Sequence, residues 1–99
     1  MKTYTTSTYL RAKEVARTQE LCEILQRALE SAAEDEDRVT FDEVRLLQSS
    51  GSIYVALLVR AQSAQDAANR AERVYASALN MMGSDADALA RRQTSLSYA

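Results

Sequence analysis

The chain has 99 residues, of which 46% are hydrophobic and 26% are charged, and its formal net charge is −2. This length and composition predict a single globular domain over residues 1–99 and exclude a disordered or collagen-like chain. The small excess of acids argues against a nucleic-acid partner, because such proteins usually carry basic residues that neutralise phosphates. No apolar run reaches the roughly 20 residues that span a bilayer, so we expect no membrane partner.

The first third of the chain changes from strand-like to helix-like periodicity. Residues 2–12 are rich in Thr and Tyr, which favour strands, and we predict a strand there. Over residues 13–33 apolar side chains recur at intervals of three and four, which predicts a helix. They include Val15, Cys22, Leu25, Leu29 and Ala32. The acidic run at residues 34–37 is unfavourable at a helix C-terminus, so we expect the helix to end near Ala33.

A β-hairpin is predicted next. Two apolar runs, residues 39–48 and 52–61, flank the sequence Ser49-Ser50-Gly51, which is typical of a turn. The second run alternates at period two and is apolar on both faces up to Leu58, which predicts a central strand. The first run carries the charges typical of an edge strand, namely Asp42, Glu43 and Arg45.

A second helix is predicted over residues 63–82. Ser63 can accept a hydrogen bond from the first free amides, and Asp66 suits the positive end of the helix dipole. Gly83 follows the last periodic residue, where helices commonly end in a left-handed conformation. Both ends of this helix are therefore defined by the sequence.

The C-terminal residues 84–99 allow either a short helix from Ser84 to Arg92, or a strand or tail over residues 93–98. With that strand, the element order is β-α-β-β-α-β, the ferredoxin-like two-layer sandwich of the α+β class. In this fold the first and third strands are central and both helices cover one face of the sheet. The apolar third strand and the charged second strand fit those places.

An all-α helical bundle is the alternative. Thr40 and Glu43 form a capping box that would start a helix at Phe41. The apolar residues from Ile53 to Ala78 also fit one long helical stripe, and the chain contains no proline that would interrupt it.

The residue types needed for common catalytic and metal chemistry are scarce. The chain has no histidine, one cysteine and two glycines, which excludes His-dependent nucleophiles, most zinc sites and glycine-rich phosphate loops. We therefore predict a protein that is not an enzyme and has no cofactor or metal.

Cys22 lies on the apolar face of the first helix, where we expect it to be buried. A single cysteine fits a reducing compartment, which predicts a cytoplasmic protein.

The uncovered face of the predicted sheet is the candidate functional surface. Helices cover one face, so apolar residues on the other face of the third strand would stay exposed, and large exposed apolar patches usually mark interaction sites. We predict an interface at Tyr9, Tyr54, Ala56 and Leu58, in a non-catalytic interaction or adaptor module that is a homodimer or binds another protein. The alternatives are a small-molecule-binding regulatory domain and a small inhibitor or accessory protein of a phage or mobile element.

Arg70 and Arg73 form a second candidate site. They lie one turn apart on the polar face of the second predicted helix, where two cations could bind an anion or an acidic partner. Surface solubility is the simpler interpretation of the same pair.

Overall fold

The computed structural model describes residues 1–47 and 50–98, without the side chains of residues 92, 93 and 98. The regular elements are β1 (Lys2–Ala12), α1 (Thr18–Glu34), β2 (Val39–Leu47), β3 (Ser52–Ala61), α2 (Ala64–Met82) and β4 (Leu89–Tyr98). The strands form one antiparallel sheet in the order β2-β3-β1-β4. The ferredoxin-like prediction is confirmed, and the all-helical alternative is wrong.

The two central strands divide their side chains between two environments. Because successive side chains of a strand point to opposite faces, one row of each strand packs against the helices and the other row does not. On β3 the helix-facing row consists of Ile53, Val55, Leu57, Val59 and Ala61, each fully buried. At about 1.5–3 kcal/mol for each buried aliphatic side chain, this row contributes much of the hydrophobic stabilisation.

The helices complete the core with one apolar stripe each. The buried residues of α1 include three leucines and three alanines, and those of α2 are three alanines together with one valine, one tyrosine and one methionine. Their buried residues include Leu21, Leu25 and Leu29 on α1 and Ala67, Ala71, Val74, Tyr75 and Ala78 on α2. Neither is long and apolar enough to cross a membrane, nor is any other helix within the described residues.

The start of α1 differs from the sequence prediction. The helix begins at Thr18 and not at residue 13, and a 3-10 turn at Val15–Arg17 precedes it. Val15, which the periodicity assigned to the apolar stripe, is 82% exposed. The chain remains extended up to Lys13, because the Lys13 amide donates a hydrogen bond to the Ala88 carbonyl, 2.8 Å away.

The C-terminal segment also differs. The predicted helix from Ser84 to Arg92 is wrong, since the 3-10 turn Gly83–Ala88 ends where the backbone at Leu89 pairs with Ala12. β4 therefore starts four residues before the predicted strand. Of the remaining predictions, the strand end at Gln48, the turn residue Ser49 and the last tail residue Ala99 lie outside the described residues.

Both ends of α2 have the predicted local structure. The Ser63 hydroxyl accepts a hydrogen bond from the Asp66 amide at 3.1 Å. At the other end Gly83 has a φ of 61°, in the left-handed region that favours glycine. These local interactions fix the bounds of the helix that carries Tyr75 into the core.

Replacement of the cap tests its contribution to stability. Ser63→Ala should lower the free energy of unfolding by about 1 kcal/mol, because the Asp66 amide loses its acceptor. This corresponds to a decrease in Tm of roughly 4–8 °C in a chain of this size, measured by circular dichroism. Ser31→Ala, at an exposed position within α1, is the matched control and should leave Tm unchanged or slightly raised. An equal effect of both substitutions would contradict a capping role.

Candidate functional site

The face of the sheet that the helices leave uncovered is called the open face below. All four predicted interface residues lie on it, because the β1–β3 register sets Tyr9 opposite Tyr54, Ser7 opposite Ala56 and Thr5 opposite Leu58. Its described side chains are Thr3, Thr5, Ser7, Tyr9 and Arg11 of β1, Ser52, Tyr54, Ala56, Leu58 and Arg60 of β3, Thr40, Glu43, Arg45 and Leu47 of β2, and Ala90, Ser95 and Ser97 of β4.

An aromatic and cationic cluster lies at one end of this face. The rings of Tyr9 and Tyr54 are 5.2 Å apart between centroids and tilted by 53°, a favourable geometry for two aromatic rings. The Tyr54 hydroxyl is 3.1 Å from the Ser7 hydroxyl, so the two share a hydrogen bond. The Arg45 guanidinium lies 5.3 Å from the Tyr54 ring centroid. These contacts hold Tyr54 in one orientation while leaving it partly exposed.

The open face is less apolar than the third strand alone suggested. Ala56 is only 1% exposed, so the larger apolar side chains of this face are those of Leu58, Leu47 and the two tyrosines. Thr3, Thr5 and Ser7 of the β1 row carry hydroxyls, and so do Ser95 and Ser97 of β4. The sequence contained this signal: Thr3, Thr5 and Ser7 occupy alternate positions, whereas the helix-facing row includes Tyr4 and Leu10.

The pair Arg70 and Arg73 is engaged by carboxylates of the same chain. Arg70 donates to Asp66 at 3.1 Å and to Glu36 at 3.4 Å, and Arg73 donates to Glu36 at 3.4 Å. The acidic connector after α1 therefore approaches the side of α2. Because two carboxylates already balance the two cations, this geometry does not favour an anion site here.

The sequence did not predict an ion pair between Glu72 of α2 and Arg91 of β4, which is called the clamp below. Arg91 donates two hydrogen bonds to the Glu72 carboxylate, at 3.0 and 2.7 Å, and its guanidinium lies 4.8 Å from the Tyr75 ring centroid. The hydrogen bonds from Arg91 lower the pKa of Glu72, against the opposing effect of burial. The prediction placed residue 91 in a helix, and so could not pair it with Glu72.

Cys22 is buried in the core as expected. Burial is the main cause that raises the pKa of its thiol, and the charge of Glu23 acts in the same direction. The thiol therefore stays protonated at neutral pH and is a poor nucleophile. Among residues 1–47 and 50–98, no group of three or more acidic or cysteine side chains could hold a metal ion.

The Glu72–Arg91 clamp should make the stability of the protein depend on pH. The pKa of Glu72 is lowered from its ordinary value of 4.5, so its contribution to stability is present above that value and is lost as the pH falls below it. Glu72→Gln should therefore reduce the stability at pH 7 by about 0.5–1 kcal/mol, a small value because the pair is partly exposed. It should also flatten the decline of stability between about pH 5 and pH 3.

Urea unfolding at a series of pH values measures both effects. Glu23→Gln, on the exposed side of α1, is the control. An unchanged pH profile in Glu72→Gln would show that the clamp contributes nothing in solution.

Comparisons with known proteins identify the fold of the chain but do not assign it to a family. No protein-family model and no curated protein matches the sequence. A de novo designed protein with ferredoxin fold, LFR1 1, known from solution NMR, is similar with a TM-score of 0.54 and 14% identity, covering 93% of this chain and 84% of that chain. The de novo designed protein Foldit4 has a TM-score of 0.53 and 11% identity, covering 99% of each chain. These similarities show that the chain has the ferredoxin-like fold.

Proposed function

We propose that this protein is a non-catalytic interaction module that forms a homodimer through its open face. The observation that carries the proposal is that Tyr9, Tyr54 and Arg45 form a cluster on an uncovered sheet face that also carries Leu58. Tyrosine and arginine are enriched among the residues that dominate binding energy at protein interfaces. Tyr54 is already fixed by its contacts with neighbouring side chains, so it would lose little conformational entropy on binding.

The size of the open face supports a second copy as the occupant. Four strands spaced about 4.8 Å apart and about 30 Å long present roughly 600 Å². Two such faces would bury about 1,200 Å², which is the lower limit of a standard stable interface. We therefore expect a dimer of moderate affinity that dissociates on dilution.

The chemistry of the face is also compatible with self-association. A hydroxyl both donates and accepts hydrogen bonds, so a surface rich in Ser and Thr can satisfy its polar groups against an identical surface. The exposed Arg11 and Arg60 lie towards the ends of the central strands, where they would belong to a solvated rim.

The pairing we propose has a two-fold axis that crosses the strands at the level of Ser7 and Ala56. It would set Tyr54 of one copy over Leu58 of the other, and Arg60 over Ser52. The small side chains of Ser7 and Ala56 lie on the axis in the central strands, whereas Glu43 of the edge strand would face the partner's Glu43 and must stay solvated at the rim. Two faces packed in this way form an aligned β-sandwich, a common arrangement of antiparallel sheets.

The proposal includes a cytoplasmic location. The single cysteine is a buried free thiol, which supports a reducing, cytoplasmic environment.

A charged substitution at the centre of the open face tests the homodimer. Leu58→Asp should weaken association by more than about tenfold, because it replaces an apolar contact by a buried, unpaired charge. The measurement is the solution mass by light scattering behind a sizing column, over a range of concentrations. Val15→Asp is the matched control, since Val15 is an apolar residue with 82% exposure that lies outside the open face.

The expected result is a wild-type mass of two chains at high concentration, a similar mass for Val15→Asp and a mass of one chain for Leu58→Asp. Circular dichroism of each variant checks that it is folded. A wild-type mass of one chain at every concentration would contradict the homodimer. A dimer that survives Leu58→Asp would contradict the assignment of its interface to the open face.

A further inference from the structure

A group of hydroxyls lies inside the otherwise apolar layer between the sheet and α2. Thr6 and Thr8 occupy the middle of the helix-facing row of β1, and Tyr75 reaches towards them from α2. Each of the three residues is at most 1% exposed. Valine has nearly the shape of threonine and would fill the same positions without a polar atom, so the hydroxyls are not required for packing.

Two of these hydroxyls are buried without a partner. Among the described residues, neither the Thr6 hydroxyl nor the Tyr75 hydroxyl has a hydrogen-bond partner. Burial raises the pKa of Tyr75 to about 12, and the hydroxyls of Thr8 and Thr6 lie near enough to oppose that rise. The three groups therefore face one another without good direct hydrogen-bond geometry. An unsatisfied buried hydroxyl is rare in native proteins and unfavourable.

The Arg91–Glu72 clamp at the surface is linked by hydrogen bonds to this buried group of hydroxyls. Arg91 donates to the Thr94 hydroxyl oxygen at 3.1 Å, and the Thr94 hydroxyl lies 3.3 Å from that of Thr8. Since Arg91 can only donate, the Thr94 proton is available for Thr8. The Thr8 proton is then free to point inwards, towards Thr6 and Tyr75. Three hydroxyl groups thus lie near one another, and a molecule that both accepts and donates hydrogen bonds would satisfy them.

We propose that Thr6, Thr8 and Tyr75 bind one internal water molecule between β1 and α2. A water molecule accepts two hydrogen bonds and donates two, and buried waters typically make about three such bonds to groups that would otherwise be unsatisfied. The bound water joins Tyr75 to a chain of hydrogen bonds that runs through Thr8 and Thr94 to the Arg91–Glu72 clamp. It thereby couples α2 to the edge strand β4 through the core.

The sign of the change in stability distinguishes a bound water from two unsatisfied hydroxyls. If the water is present, Thr6→Val and Tyr75→Phe each remove one of its hydrogen bonds and should lower Tm by roughly 4–8 °C. The double variant should melt near the lower of the two single variants, because the same water is lost only once. If the hydroxyls are simply unsatisfied, each substitution removes an unfavourable group and should raise Tm.

Thr5→Val is the matched control for the preference of valine for strands, because Thr5 is the neighbouring residue on the open face. Because Thr5 lies in the proposed interface, all variants are compared at a protein concentration low enough for light scattering to give the mass of one chain. An increase in Tm for Thr6→Val beyond that of Thr5→Val, together with an increase for Tyr75→Phe, would overturn the proposal.

Direct observation of the water provides a second, independent readout. Nuclear Overhauser effects between a long-lived water and the Tyr75 ring are expected in the wild type and should disappear in the double variant. Amide hydrogen exchange in β4 should be faster in both single variants than in Thr5→Val, since the coupling of β4 to α2 is weakened. Absence of the water signal in the wild type would overturn the proposal whatever the state of association.

Discussion

The structure depends on one constraint: two helices cover a four-stranded sheet on one face. The pleat of β1 and β3 then assigns every second side chain to the core and the others to the open face. A shift of one residue in the register of β3 would exchange its two sets, placing Ile53 and Leu57 in solvent and Arg60 among the helices. The burial of the β3 row therefore fixes the register and, with it, the composition of the open face.

The sequence predicted those elements whose signals are local. The alternation in β3, the Ser63 cap and Gly83 at the end of α2 depend on residues close together in the chain, and the structure has each of them. Beyond the order of the strands, it did not predict individual contacts between distant segments. The exposure of Val15 and the early start of β4 both depend on backbone pairing between β1 and residues 88–89, which no local pattern contains.

The candidate sites show the same difference between what local patterns predict and what they do not. The four open-face residues were predictable because period two places them on one face once the helices are assigned to the other. The environment of Arg70 and Arg73 was not, since Glu36 reaches them from a segment 34 residues away in the sequence. The net charge of the chain was equally uninformative about where the charged side chains lie on its surface. Arg11, Arg45 and Arg60 lie on the open face together with the acid Glu43, although the whole chain is slightly acidic.

The pairing of β1 with β4 has a consequence for synthesis on the ribosome. Thr8 and Thr94, which are neighbours across these strands, are separated by 86 residues, so β1 emerges long before its second partner does. One edge of a central strand must then remain unpaired while the remaining elements are made, and an unpaired strand edge can associate with other chains. The serine- and threonine-rich outward row of β1 keeps that nascent edge hydrophilic on one side, which limits premature association until β4 closes the sheet.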